Sequence, residues 1–237
     1  MIIVNWNTEW ASLRSPRAGI ILRQLLEFDP EVVCLTEAYL DFLPDSGYVI
    51  AAEADYGYAM IKGRRKVLLW SKQPWINVSA QSPAGMPPGR YVYGETETSL
   101  GLLGIHGLCI PWAEAHVRTG HKNRQRWQDH LAYLSALPAA MDEQDCDLQI
   151  LAGDFNQRIP RRRVPVHVYQ TMQDVLEDRF TILTEDVISP IDKQTIDHIA
   201  VVDKLAASRV QSISNIGPEG QKLSDHFGIM ADLYRAN

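Results

Sequence analysis

The sequence predicts an α/β (α+β) sandwich in which β-sheets pack on each other with helices outside. Three features lead there: a helix directly after a first short strand, a central stretch of short β-rich segments, and a return to alternating helix and strand toward the C-terminus.

Ile2 to Val4 is an apolar run suited to a strand, followed by polar residues from Asn5 to Glu9. From Arg17 to Phe28 the apolar residues Ile21, Leu22, Leu25, Leu26 and Phe28 form one stripe, and Asp29 with Pro30 stops the helix. Val32 to Leu35 is a continuous apolar strand, covered on both faces, that ends at Thr36 and Glu37. Between Tyr48 and Tyr93, β-branched and aromatic segments are cut repeatedly by glycine and proline, the pattern of antiparallel strands and loops. Leu100 to Ile105 reads as another buried strand. The segment Ala115 to Leu137 reads as helical, at least from Arg124, with Trp127, Leu131 and Leu134 on one face. Leu148 to Ala152 is again a strand, and a helix follows around Val168 to Glu177. Strands are then expected near Phe180 to Leu183, Thr195 to Val202, Arg209 to Ile213 and Phe227 to Leu233.

At 237 residues the chain is read as one domain spanning 1–237, and a domain of this size buries roughly 70 to 75% of the surface its unfolded chain exposes, so no metal or disulfide is needed to hold the core. With 46% hydrophobic and 22% charged residues, a disordered chain, a collagen and a coiled coil are excluded. No stretch is long and apolar enough to span a membrane, and the N-terminus lacks the basic leader of a signal peptide. The three cysteines, Cys34, Cys109 and Cys146, are widely separated without metal-type spacing, which fits a reducing, cytoplasmic setting. A net charge of −6 argues against a general nucleic-acid coat, but not against an enzyme with a local basic rim.

The polar residues carry the functional signal. Asn7, Glu37, His106 and Asp154 each follow an apolar strand, whereas Asp197, Asp225 and His226 stand at or near the beginning of one. If those last strands run antiparallel to the others, all seven gather at one rim. Carboxylates gathered so closely repel one another unless a cation sits among them. A hard divalent ion, Mg2+ or Mn2+, is the natural partner of oxygen ligands and of a substrate phosphate.

The motifs Trp6-Asn7-Thr8-Glu9, Leu35-Thr36-Glu37, Gly153-Asp154-Phe155-Asn156, Thr195-Ile196-Asp197-His198 and Ser224-Asp225-His226 occur in the order found in one superfamily. In these motifs, from Asn7 to His226, the chain resembles the endonuclease/exonuclease/phosphatase superfamily. The resemblance implies a four-layered α/β sandwich, two mostly antiparallel sheets face to face with helices outside. It also implies metal-dependent hydrolysis of phosphate esters by in-line attack of water on phosphorus. Glu37 would be the principal metal ligand, Asn7 and Asp225 would help hold the metal or its waters, and Glu9 stands where some relatives have a second acidic metal contact. Asp154 and Asn156 would orient or activate the attacking water and contact the phosphate, while Asp197 and His226 would form the acid and base pair. Whether Asp154 or His226 takes the proton stays open. The sequence departs from the family pattern between residues 104 and 112: where some members have a tyrosine before Ile110-Pro111, this chain has Cys109, and His106 is taken as a phosphate contact or leaving-group acid.

Two basic clusters break the acidic average: Lys62, Arg64, Arg65 and Lys66, and Arg158, Arg161, Arg162 and Arg163. The second follows the Asp154 motif, so Arg158 and Arg161 are taken as substrate phosphate contacts, with a solvated loop as the competing reading. Trp112 is placed with them as a surface on which a ring can stack. His116, His121, His130 and His167 lack ligand spacing and read as surface or packing residues, and no zinc site is expected. The first expectation for function is a nuclease acting on DNA or RNA. The alternatives are a phosphatase or phosphodiesterase of a small phosphorylated or lipid head group, and a non-catalytic binding module on the same fold.

Overall fold

The computed structural model describes residues 1–236. In chain order its elements are β1 (Ile2–Asn7), α1 (Pro16–Leu26), β2 (Val32–Tyr39), β3 (Tyr48–Ala51), β4 (Arg64–Ser71), β5 (Trp75–Ser79), β6 (Tyr91–Thr98), β7 (Gly101–Cys109) and α2 (Gln128–Asp142). They continue with β8 (Gln149–Asp154), α3 (Val166–Leu176), β9 (Thr181–Ile182), β10 (Val187–Ile188), β11 (Lys193–Gln194), β12 (Asp197–Val201), β13 (Leu205–Ile213) and β14 (Gly228–Arg235).

Two six-stranded sheets form, in the orders β13-β14-β1-β2-β4-β3 and β5-β6-β7-β8-β12-β9, with β10 and β11 as a separate small ribbon. Each large sheet has one parallel pair, β1 with β2 and β7 with β8, and is otherwise antiparallel. The parallel pairs are the two places where a helix, α1 or α2, makes the crossover that a parallel connection requires. Alternate residues of the strands fill the space between the sheets, among them Ile3, Cys34, Val67, Ile105, Ile150 and Ile199. The opposite faces are covered by Ala18, Ile21 and Leu25 of α1 on one side, and by α2 and α3 through Tyr133, Leu137 and Met172 on the other. The result is the four-layered sandwich that the motif order implies.

Local chemistry accounts for the element ends. Pro16 opens α1, where its missing N–H is no loss, and Asp29 in the left-handed region (φ +50°) closes the exit before Pro30. The second helix begins four residues later than expected because Trp127 takes a left-handed conformation (φ +68°). It runs through Pro138 rather than stopping before it, since Leu134, Leu137, Ala140 and Met141 are buried on both sides of the proline and their burial offsets the lost bond. β7 also departs from expectation: it continues to Cys109, four residues past Ile105, where the strand was expected to end.

Gly153, at the penultimate position of β8, has φ +147°, and a Cβ there would lie 1.9 Å from the Leu108 carbonyl oxygen of the neighbouring strand. Gly153→Ala is therefore expected to cost about 3 kcal/mol or more in urea unfolding. Gly19 is exposed on α1 with nothing within 4 Å of the added Cβ, so Gly19→Ala should stabilise by about 0.5–1 kcal/mol. Equal effects at the two positions would contradict the packing described.

Candidate active site

Strand register builds the site. β12 runs antiparallel to β8 with Asp197 directly opposite Asp154, and β7 runs parallel to β8 with Cys109 opposite Asp154. Laterally paired residues project from the same face of a sheet, so Cys109, Asp154 and Asp197 stand in a row at the rim of the space between the sheets. Asn7, last residue of β1, meets them from the other sheet: its Nδ2 donates to Asp154 Oδ2 at 3.2 Å. Deeper in the same layer, Asn5 Nδ2 donates to the carbonyls of Gly153 and His198 at 3.0 and 3.1 Å, a buried amide that joins the two sheets just beneath the site.

The residues around this row are held with equal care. Glu37 sits in the left-handed region (φ +49°), its carbonyl accepting from Thr8 Oγ1 and from the Trp10 amide, both at 2.8 Å. An unfavourable backbone held by two bonds is the kind of strain that collects at functional sites. Asn156 is also left-handed (φ +55°); its amide N–H donates to Asp154 Oδ1 at 2.9 Å and its side-chain Nδ2 to the Ile110 carbonyl at 2.8 Å. Ser224 Oγ donates to the Asn7 carbonyl at 2.7 Å and accepts from the His226 amide at 3.1 Å, while the Trp6 indole donates to the His226 carbonyl at 2.9 Å. The 224–226 loop is thereby fastened to β1.

Asp197 Oδ2 accepts from His226 Nδ1 at 2.6 Å. Burial alone would lower the imidazole, but the Asp197 carboxylate, with Asp154 and Asp225 nearby, pushes its pKa up to about 10. Asp154 moves the other way from an ordinary carboxyl: burial, reinforced by the Asp197 charge, raises it to about 7. An oxygen of Asp154, one of Asp197 and a nitrogen of His226 lie within 4.8 Å of one another. Asp197 and His226 already bond to each other, so the raised imidazole stands as a positively charged partner beside both carboxylates.

The metal-type donors lie beside it. Asn7, Glu37 and Asp225 line one cavity of about 550 Å3 together with Asp154, Asn156 and His226. Its remaining wall is aromatic and basic, with Trp10, Tyr56, Tyr58 and Trp112 alongside Arg64, Lys66 and Arg90. Lys66 Nζ bonds Glu37 Oε1 at 2.5 Å. Arg90 is only 3% exposed and, among the described residues, has no carboxylate partner; its guanidinium reaches only the Cys109 carbonyl at 3.4 Å and sulfur at 3.8 Å. A buried guanidinium so poorly matched is a ready anion site.

Four expectations meet a different placement. His106 lies within β7, fully buried on the helix-covered side, with Nδ1 accepting from the Tyr91 hydroxyl at 2.9 Å and Nε2 donating to Gln149 Oε1 at 3.1 Å. Burial lowers it to about 4, and it is a neutral core residue three positions short of the rim. Glu9 is engaged by Arg17 at 3.2 Å, by Lys222 at 3.3 Å and by the Asp225 amide at 3.1 Å. It anchors the 224–226 loop instead of lining the cavity. Arg161 donates to the Val164 carbonyl of its own loop at 2.8 Å. Arg158 is exposed and borders only a shallow recess of about 80 Å3 behind Asp197 and His226. Trp112 does line the cavity, 46% exposed. The first basic cluster, through Arg64 and Lys66, supplies the cations that the second was expected to supply.

His130 proves to be internal support. Its Nδ1 donates to the Pro111 carbonyl at 2.7 Å and its Nε2 accepts from Gln157 at 2.8 Å, while the Gln157 carbonyl accepts from His198 at 2.9 Å. This chain of bonds fixes the loop that carries Asn156.

Two face-to-face sheets under helices, with a carboxylate–imidazole pair and oxygen donors at one rim, define the class: a phosphoesterase-type α/β sandwich. The Endonuclease/Exonuclease/phosphatase family matches residues 4–226, and the chain belongs to that family, whose members are generally phosphoester hydrolases. A search of curated proteins finds no significant match. Among solved structures, an AP endonuclease from Archaeoglobus fulgidus is similar at TM-score 0.70 and 15% identity, covering 98% of each chain. A humanised D. rerio TDP2 is similar at 0.71 and 15%, covering 99% of this chain and 98% of that one. A family protein from Leptotrichia buccalis is similar at 0.68 and 15%, covering 99% of each. At such identities the likeness speaks for the fold. Among the described residues no helix is long and apolar enough to cross a membrane.

His106→Ala should lower stability by about 2–4 kcal/mol through a cavity and unpaired polar groups, while any phosphoester hydrolysis per folded molecule changes less than about threefold. A loss as deep as that of His226→Ala would return His106 to the site.

Proposed function

We propose that this protein is a divalent-metal-dependent phosphodiesterase acting on nucleic acid by in-line attack of water on phosphorus. The observation that carries this reading is His226, bonded to the buried Asp197, beside Asp154 in a cavity that also holds Glu37, Asn7 and Asp225. The donor set fits magnesium or manganese: carboxylate and amide oxygens without a cysteine, and carboxylates gathered more closely than their own charges favour. Glu37, with Asn7 and Asp225, would hold the ion. When bound, such an ion polarises the phosphoryl group and offsets the charge that builds on it.

The protein's own groups divide the remaining work. Asp154, raised to about 7, accepts a proton from water near neutral pH. Asn156, with its Nδ2 tied to Ile110, has its amide oxygen oriented for that water. His226 keeps its proton, and with Nδ1 bound to Asp197 its Nε2–H is free to donate to a phosphoryl oxygen. Arg90 and Arg64 take flanking phosphate, and Trp112 and Tyr58 offer faces for a base. The Archaeoglobus neighbour, named as an AP endonuclease, supports the nucleic-acid reading. The three unpaired, buried cysteines suit a cytoplasmic setting.

A second reading, a small phosphorylated head group, draws on the compact, partly aromatic cavity and the net charge of −6. A labelled panel of single-stranded, duplex and abasic-site oligonucleotides in Mg2+ or Mn2+ separates the two. Cleavage abolished by EDTA, reduced at least about 10³-fold in Asp154→Ala and falling steeply with salt is expected. No cleavage of any strand by protein that binds Mn2+ would sink the nucleic-acid reading and favour the small substrate.

A further inference from the structure

Lys66 occupies the interior of the site and not its margin. Its side chain is 13% exposed, and its ammonium bonds Glu37 Oε1 at 2.5 Å. The same ammonium stands over the rings of Trp10 and Tyr56, 5.2 and 5.7 Å from their centroids. A lysine near a sheet rim ordinarily carries its charge out to water. Here the chain turns inward along two aromatic faces that attract a cation, and its partner is the carboxylate on the strained, doubly bonded backbone of Glu37. An ammonium on one carboxylate oxygen leaves the other oxygen open but neutralises the charge that would draw a second cation, and two cations at that spacing repel.

We propose that Lys66 is a tethered cation that competes with the divalent ion for Glu37. In the ion-free protein it neutralises the carboxylate. When the ion takes Glu37, the ammonium is displaced but stays within the cavity, against Trp10 and Tyr56, where a substrate phosphate is its next partner. The proposal rests on the reading of Glu37 as an ion ligand. Two consequences follow from it. The ion binds more weakly than the oxygen donors alone would bind it, and a phosphate anion strengthens ion binding by accepting the displaced ammonium, a coupling that must be reciprocal.

The test is Mn2+ binding to the full-length protein, counted by the EPR signal of free ion, with circular dichroism to confirm folding. Lys66→Met should bind Mn2+ about tenfold more tightly than wild type, equivalent to about 1.4 kcal/mol, and Lys66→Gln should also tighten it. Lys62→Met removes an equal charge from an exposed position in the same segment and should leave affinity within about twofold, because an exposed charge that bonds no ion ligand is screened by water and salt. Inorganic phosphate should strengthen Mn2+ binding more in wild type than in Lys66→Met. Unchanged or weaker binding in both Lys66 variants, or an equal gain in Lys62→Met, would overturn the proposal. Glu37→Gln separates the two layers of the argument: it should lose the site, and wild-type Mn2+ affinity in that variant would refute the assignment of the ion to Glu37 itself.

Discussion

Asp154 and Asp197 face each other across hydrogen-bonded strands, each almost wholly out of water. Two carboxylates so placed cannot both ionise without a compensating cation. His226 answers that constraint, and the position of the 224–226 loop follows from it. The loop must deliver an imidazole Nδ1 to within 2.6 Å of Asp197 Oδ2, so it is anchored by Ser224 to β1, by the Trp6 indole, and through Glu9 to Arg17 and Lys222. The linkage has a definite sign. With its folded pKa raised from 6.5 to about 10, His226 contributes stability that is complete below the ordinary imidazole range and is lost as pH rises through about 10.

The same constraint explains why the two sheets join where they do. Asn5 and Asn7 lie on one face of β1, two residues apart, and both reach across to the second sheet, Asn5 to backbone carbonyls and Asn7 to Asp154 itself. Buried amides placed this way forbid the sheets from sliding, since a shift of one residue would leave each donor unpaired in a dry layer. Chemistry and architecture are thus fastened at the same residues. The geometry that supports a reacting phosphate is also the geometry that sets the register between layers.

Much of this was legible in residue order alone. The strand ends at Asn7 and Asp154, and the strand starts at Asp197 and after His226, carry period and polarity that a reader can follow, and the antiparallel pairing of β8 with β12 and of β1 with β14 brings them together; Glu37 read as the end of its strand, whereas β2 runs on to Tyr39. His106 misled because two glycines interrupt the apolar run of β7. Backbone pairing with β6 and β8 continues through them, and pairing partners are not visible in a single chain. Arg90 and Lys66 were missed for the same reason. Nothing in Gly89-Arg90 or Arg65-Lys66 says that one side chain will lie beside Cys109 and the other beside Glu37, whereas the row Arg158 to Arg163 stood out only by its density. Asn5 did leave a signal: a second amide two residues before Asn7, inside an otherwise apolar strand, points to the same face and calls for a partner there.

The central claim is that Asp197 holds His226 as an imidazolium beside Asp154. Long-range 1H–15N correlation spectra of the metal-free protein, followed across pH, read the protonation of His226 directly. The account predicts that His226 keeps both ring protons until about pH 10 and that Asp197→Asn lowers its titration by more than about one unit, as loss of an adjacent carboxylate requires. A His226 that titrates near 6.5 with Asp197 intact would contradict it.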